Sequence, residues 1–406
     1  MVNSGDTAWL LASSALVLMM TPALAFFYGG MVHRRHALGT IMQSFVVIAL
    51  ISAQWVLWGY SLAFGPDKGG LIGGLDWLGL RGVGADPNPD YAPTVPHQAF
   101  MIFQGMFAVI TPALITGAFA GRMKFKAFLI FVVLWSTLVY DPVAHWVWGA
   151  GGWLRNMGAL DFAGGAVVHI TSGVGALAAA LALRRRFHFG TGPDEPHNVP
   201  FIVLGAGLLW FGWFGFNAGS ALTSGAVATS AFVVTNTAGA MGGLTWMTLS
   251  WWLGGKPSVV GVASGAVAGL ATVTPASGFV TPMAGAIIGV GAGACCYFAC
   301  RLRARLKLDD SLDVWGVHGV GGTLGILAAG LFATVAVNAA GRDGLFYGQP
   351  GQFLTQLLMV AVVWGYSFVL TFVILKVLDK VMGVCVEHDE EEMGLDLSQH
   401  GERAYV

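Results

Sequence analysis

Two histidines stand alone in glycine-rich apolar runs, one from Asp161 to His169 and the other from Asp310 to His318, each ring eight residues after an aspartate. A neutral imidazole both donates and accepts a hydrogen bond, and it exchanges a proton near neutral pH. In an apolar helix such a ring is costly, so it marks a site or a pathway by default. The two runs also continue alike, with Gly173 and Gly322 four positions after the histidines and Leu177 and Ile326 eight positions after them. Two unrelated core histidines bonded to backbone would explain either ring singly. They do not explain the repetition.

Composition fixes the solvent in which these rings sit. Of 406 residues, 56% are hydrophobic and 10% charged, with a mean hydropathy of +0.70. A soluble core cannot hide that much apolar surface, so the chain is expected to be an all-α integral membrane protein with no soluble domain. The net charge of −1 and the lack of a basic stripe with exposed aromatics give no footing for nucleic acid. Cys295, Cys296 and Cys300 lie together without a neighbouring histidine or acid cluster. They read as small packing groups, not as a metal site, and no cofactor is implied.

Cutting at charged and proline-rich breaks leaves apolar stretches near 8–31, 37–64, 98–120, 127–148, 162–183, 199–218, 226–252, 258–274, 283–300, 313–336 and 352–378. Most are as long as a bilayer requires, so eleven transmembrane helices are expected. Basic residues test the parity. Lys68, Arg81, Arg155 and Arg342 fall on one side and the other sixteen of the twenty on the opposite side, which places the N-terminus outside and the C-terminus inside. Asp6 before the first stretch and Arg34 and Arg35 after it give the wrong charges for a cleaved leader, so that stretch is read as a retained helix. Residues 65–97, rich in Gly, Pro and Asp, read as an ordered outer loop.

This topology inverts the repeat. His169 lies on the fifth span and His318 on the tenth, which run in opposite directions, so repeats at about 8–184 and 199–336 form a 5+5 pair with an extra helix at 352–378. Eight residues of helix rise about 12 Å, and from opposite faces of a core about 30 Å thick both rings arrive near the midplane. Fifty-nine glycines favour close helix packing and a narrow lumen. There is no acidic ring or carbonyl filter for metal cations and no mid-span Lys or Arg for anions. A small, neutral, hydrogen-bonding species fits: water, carbon dioxide or ammonia. At the outer end, Gln104 and Phe107, His145 to Trp148, and Trp213 to Ser220 bring aromatic rings and a hydroxyl together. Such faces attract a cation by about 0.5–2 kcal/mol each, although many of the 15 tryptophans suit an interfacial belt equally well.

At these residues the chain resembles the ammonium transporter family, the Amt, Mep and Rh proteins, in its prokaryotic Amt form. The resemblance covers the whole chain and rests on FFYGGM at 26–31, ALDFAGG at 159–165, WFGWFGFNAGS at 210–220, VHGVGG at 317–322 and GLDLSQH at 394–400. It implies a non-enzymatic transporter of ammonium or ammonia, a homotrimer embedded in the lipid bilayer of the inner (plasma) membrane, with one path per subunit. It assigns Phe107, Trp148, Phe216 and Ser220 to an outer ammonium site, Phe107 and Phe216 also to a gate, and His169 and His318 to the pore. Asp161 and Gln104 take supporting roles, Asp161 also being a natural helix cap. Burying a bare cation costs several kcal/mol, so ammonium is expected to lose its proton near the outer site and pass as ammonia, with or without separate proton transfer.

Residues 1–380 form the transporter unit on this view and 381–406 a cytoplasmic regulatory tail, where the resemblance allows for a PII signalling protein as a partner. The acidic run from Glu387 to Glu392 is expected to be solvated and mobile. Asp141 departs from the family pattern; it suits either a negative charge near the outer vestibule or a loop cap at Pro142. Two rival functions are an ammonium sensor with little transport and a membrane oxidoreductase with His169 and His318 as haem ligands.

Overall fold

The computed structural model describes residues 1–190 and 195–405. Val406, the last residue of the expected tail, lies outside them, as do residues 191–194 of the transporter unit. Among the described residues, nine helices are long and apolar enough to cross a membrane: α1 (Ser4–Met31), α2 (Arg34–Phe64), α3 (His97–Phe119), α4 (Phe125–Met157), α5 (Gly165–Ala182), α6 (Val199–Ala218), α9 (Pro282–Arg305), α10 (Trp315–Phe332) and α11 (Pro350–Met382). Between α6 and α9 lie α7 (Ala226–Gly254), 29 residues long, and α8 (Val259–Val273), 15 residues long. Every expected apolar stretch is thus a helix. Among the described residues the sheet content is one antiparallel pair in the 65–97 loop, β1 (Asp67–Lys68) with β2 (Ile72–Gly73).

Local chemistry sets many of the helix starts. The side chains of Asn3, Asn198, Ser258 and Thr281 accept N–H groups from the first turns of α1, α6, α8 and α9, satisfying donors that a helix leaves unpaired. Pro282 and Pro350 occupy first-turn positions where no N–H is needed. Helices α3 and α5 are the most enclosed, whereas α11 faces outward over most of its surface. Even so, α11 buries Gln356 completely. Its amide accepts from Leu160 N–H at 2.8 Å and donates to the carbonyls of Leu160 at 2.7 Å and Ile326 at 3.2 Å, tying the entry of α5 to the body of α10.

The tail departs from expectation. The acidic run forms α12 (His388–Met393), opened by a reciprocal capping box between Glu387 and Glu390. Glu391 is buried, ion-paired to Arg184 at 2.8 Å and accepting from Phe187 N–H at 2.7 Å. A carboxylate with such partners is docked rather than solvated. Helix α13 (Leu395–His400) then locks against α2 in both directions: Leu395 N–H donates to His36 Nδ1 at 3.2 Å, and Gly39 N–H donates to Asp396 Oδ1 at 2.8 Å. Met123 and Cys385 form a β-bridge, and Arg184 donates to Val386 O. The basic loops near residues 35, 124 and 184 therefore share the face on which the tail lies. Asp396→Ala removes one of the two caps, worth about 1 kcal/mol, and limited proteolysis between α12 and α13 is expected to run about fivefold faster.

Candidate functional site

Three of the site's side chains sit where their helices widen to π turns: His169 within Gly165–Ile170, Phe216 within Phe214–Ala218, and His318 within Trp315–Gly319. A π turn inserts one residue and re-aims the side chains around it, and such turns cluster at functional positions. Here all three rings join one column. Phe107 and Phe216 lie 4.3 Å apart between centroids and tilted by 38°, His169 stacks on Phe216 at 6.0 Å, and His318 stacks on His169 at 5.2 Å. The two imidazoles meet Nδ1 to Nδ1 at 3.2 Å. At that distance one Nδ1 donates and the other accepts, so the rings take opposite tautomers around one shared proton.

The glycines four positions after each histidine allow this meeting. A Cβ on Gly322 would stand 2.9 Å from His169 Cβ, and one on Gly173 would run into the backbone of Gly319 and His318. Each helix therefore presents bare backbone where the other carries its ring. The two His-to-Gly spacings are one packing device used from both sides.

At the end of the column nearest the 65–97 loop, the side expected to be outer, lies a cavity of about 200 Å³, lined by Gln104, Phe107, Trp148, Phe162 and Ser220. Trp148 meets Phe107 edge-on at 5.9 Å and donates its indole N–H to Asp161 O at 2.8 Å. Ser220 Oγ donates to Phe216 O at 2.8 Å, and Gln104 Oε1 is buried with no hydrogen-bond partner. Phe107 and Phe216, each about 1% exposed, close the floor. Beneath them the lumen at the histidines has about 10 Å³ of free space, walled by Leu24, Leu114, Leu209, Trp213 and Val267, room for one water-sized molecule. His169 Nε2 is buried there without a partner. His318 also lines a wide cavity of about 690 Å³ on the tail side, the side expected to be inner.

Asp161 and Asp310 hold the two half-paths at their ends. Asp161 accepts four successive backbone N–H groups, Gly164 and Gly165 on Oδ1 at 2.8 and 2.6 Å, Ala166 and Val167 on Oδ2 at 2.8 and 3.2 Å. Burial raises its carboxyl above the usual range, and these N–H bonds oppose the rise. Both oxygens are engaged away from the outer cavity, so the cap is the role the geometry shows. Asp310 accepts Trp315 N–H at 2.8 Å, and burial, with Asp313 nearby, pushes it up to about 6.

Asp141 fits neither expectation made for it. It lies inside the continuous helix of α4, is fully buried, and accepts Gln54 Nε2–H at 2.8 Å. It neither caps a loop nor faces the outer cavity. The other expected residues, Phe107, Trp148, Phe216, Ser220, His169, His318 and Gln104, are all brought to one path. Sequence reasoning did not reach Tyr91 and Arg155, which also line the outer cavity; Arg155 served only in the charge count.

Haem ligation does not fit. Two axial imidazoles place their nitrogens about 4 Å apart across a metal, at about 2 Å each. These nitrogens face each other at hydrogen-bond distance, with stacked rings and no space for a macrocycle between them.

A sequence profile of the Ammonium Transporter Family matches residues 8–405. The chain is 52% identical to an ammonium transporter of Bacillus subtilis (strain 168) over 405 residues, covering 100% of this chain and 99% of the relative. The fold is similar to that of Candida albicans Mep2, with a TM-score of 0.91 at 39% identity, covering 100% of this chain and 91% of that one. It is also similar to a solved sensor Amt protein, with a TM-score of 0.89 at 28% identity and 98% coverage of each chain.

Proposed function

Because this chain belongs to the ammonium transporter family, a family of transporters and not of enzymes, we propose that it captures ammonium in the outer cavity and conducts ammonia along the ring column. Trp148, Phe107 and Phe216 supply aromatic faces and Ser220 a hydroxyl for the cation; Gln104 Oε1, buried and unpaired, adds an acceptor for an ammonium N–H. The lumen below is apolar and one molecule wide, so a bare cation entering it would lose its hydration without replacement. Ammonia would not. It donates to an imidazole lone pair or accepts from an imidazole N–H, and the free Nε2 of His169 is the observation that carries this reading.

The wider arrangement follows the same reading. With α7 and α8 counted beside the nine apolar helices, the chain crosses the plasma membrane eleven times, N-terminus outside and C-terminus inside. The paired π turns, the paired aspartate caps and the reciprocal glycine contacts support an inverted 5+5 repeat with α11 added. The unit 1–380 acts as a homotrimer, and the regulatory tail, 381–406, whose described residues to 405 are docked, takes part in engaging a PII protein at the cytoplasmic face. The likeness to a sensor Amt protein supports a second reading, binding with little flux.

Reconstitution in proteoliposomes separates the two. An inward ammonium gradient is expected to drive nitrogen uptake well above that of protein-free vesicles, with current and luminal pH recorded together. Charge movement matching nitrogen uptake assigns a separate proton transfer, and uptake without current assigns passage of ammonia alone. Ammonium binding with flux no higher than in protein-free vesicles would overturn the transport reading in favour of the sensor.

A further inference from the structure

Trp148 ends the helical run Asp141–Trp148 within α4, where the chain turns at Gly149 before the short helix Trp153–Met157 that carries Arg155. Its carbonyl is one of the groups a helix end leaves unpaired, and the plane of its indole depends on how firmly that backbone is held. Arg155 holds it. The guanidinium donates from Nη1 to Trp148 O at 2.9 Å and from Nη2 to Asp90 O at 3.0 Å, joining the helix end at Trp148 to the outer loop. It also lies over the Tyr91 ring, 5.7 Å from the centroid. Tyr91 completes the clamp: its hydroxyl accepts from Ala150 N–H at 3.0 Å and donates to Phe64 O at 2.6 Å, and its ring stacks on Phe100 at 4.9 Å.

Both sides of the turn after Trp148 are thus tied to one loop. We propose that Arg155 is a positioning residue for ammonium capture, fixing Trp148 through its planar two-pronged hydrogen bond and its stacking on Tyr91. The inference rests on the transport reading above. Arg155 is exposed, so water and salt screen its charge from a cation in the cavity, and its geometry is what reaches the site. A lysine cannot reproduce that geometry, because one flexible ammonium neither bridges two carbonyls in a plane nor stacks on a ring. Loosening Trp148 weakens the cation–π contact made by the captured ion and leaves the histidine lumen untouched.

The test is methylammonium and ammonium uptake by reconstituted Arg155→Lys, Arg155→Gln and Tyr91→Phe proteins, normalised to folded protein in the membrane. KM is expected to rise about five- to tenfold in both arginine variants and about two- to threefold in Tyr91→Phe, which keeps its ring, with Vmax within about twofold of the unmodified protein throughout. A lysine variant with the unmodified KM would assign the effect to charge and overturn the proposal. So would an unchanged KM in both arginine variants, or a fall in Vmax alone. Absence of uptake by the unmodified protein would defeat the transport reading instead, so the two failures are distinct.

Discussion

Replacing His169 and His318 together by leucine is expected to lower ammonium flux in proteoliposomes about a hundredfold or more. Leucine fills much of the space of each ring, so the lumen stays closed and dry. Both imidazoles disappear; of the described side chains lining that lumen only Trp213 keeps a polar group, and its N–H is given to Thr274 Oγ1. Passing an unpartnered polar molecule through such a segment costs about 2–7 kcal/mol, and about 3 kcal/mol already corresponds to more than a hundredfold in rate. Single replacements are expected to approach the double one, because the rings share one proton between their Nδ1 atoms and losing either ring leaves the other's Nδ1 unpaired. Ammonium current in the double variant undiminished and free of potassium leakage would sink the assigned role of both histidines.

Much of this path was legible because each part is a local pattern. The apolar stretches are set by the bilayer, and the helices keep those bounds to within a few residues, except that α4 runs on past 148 to Met157. The two Asp-to-His runs announced both the rings and the caps, and the glycines four residues later have a reason the sequence could only hint at: each receives the opposite histidine's helix. The outer aromatics were identifiable as a group, although no sequence pattern distinguishes a ring lining a cavity from one in an interfacial belt.

The parts that escaped depend on distant partners. Gln356 reads as an ordinary polar residue in an apolar helix until Leu160 and Ile326 are brought to it. Arg155 reads as a loop charge until the outer loop folds back with Tyr91 and Asp90. The acidic tail segment is misjudged for the same reason: six acidic or polar residues suggest solvation, and only Arg184, some 200 positions earlier, turns Glu391 into a buried anchor. Asp141 turned out to be paired with Gln54 on a neighbouring helix, a contact that no spacing within α4 encodes.

Asp161→Ala is expected to be the most damaging single change at the two ends of the path, because capping and not charge dominates its role. Its carboxylate satisfies four N–H groups at the start of α5, and alanine leaves them buried. At about 1–3 kcal/mol for each unsatisfied donor, four donors cost about 4–12 kcal/mol before relaxation, so a loss of several kcal/mol is expected, in the range where single changes unfold a protein. The unfolding reaches function directly, since the same residue's carbonyl holds the Trp148 indole. Asp310→Ala removes one short N–H bond, so its cost is expected near 1–2 kcal/mol on the same scale. Asp161→Asn keeps an acceptor oxygen without the charge and is expected to fall between them. Thermal unfolding in detergent, read beside methylammonium uptake, orders the three. If Asp161→Ala unfolded at the unmodified temperature and only raised KM, with Asp161→Asn identical to it, Asp161 would be acting on the cation through its charge, and the cap would be incidental.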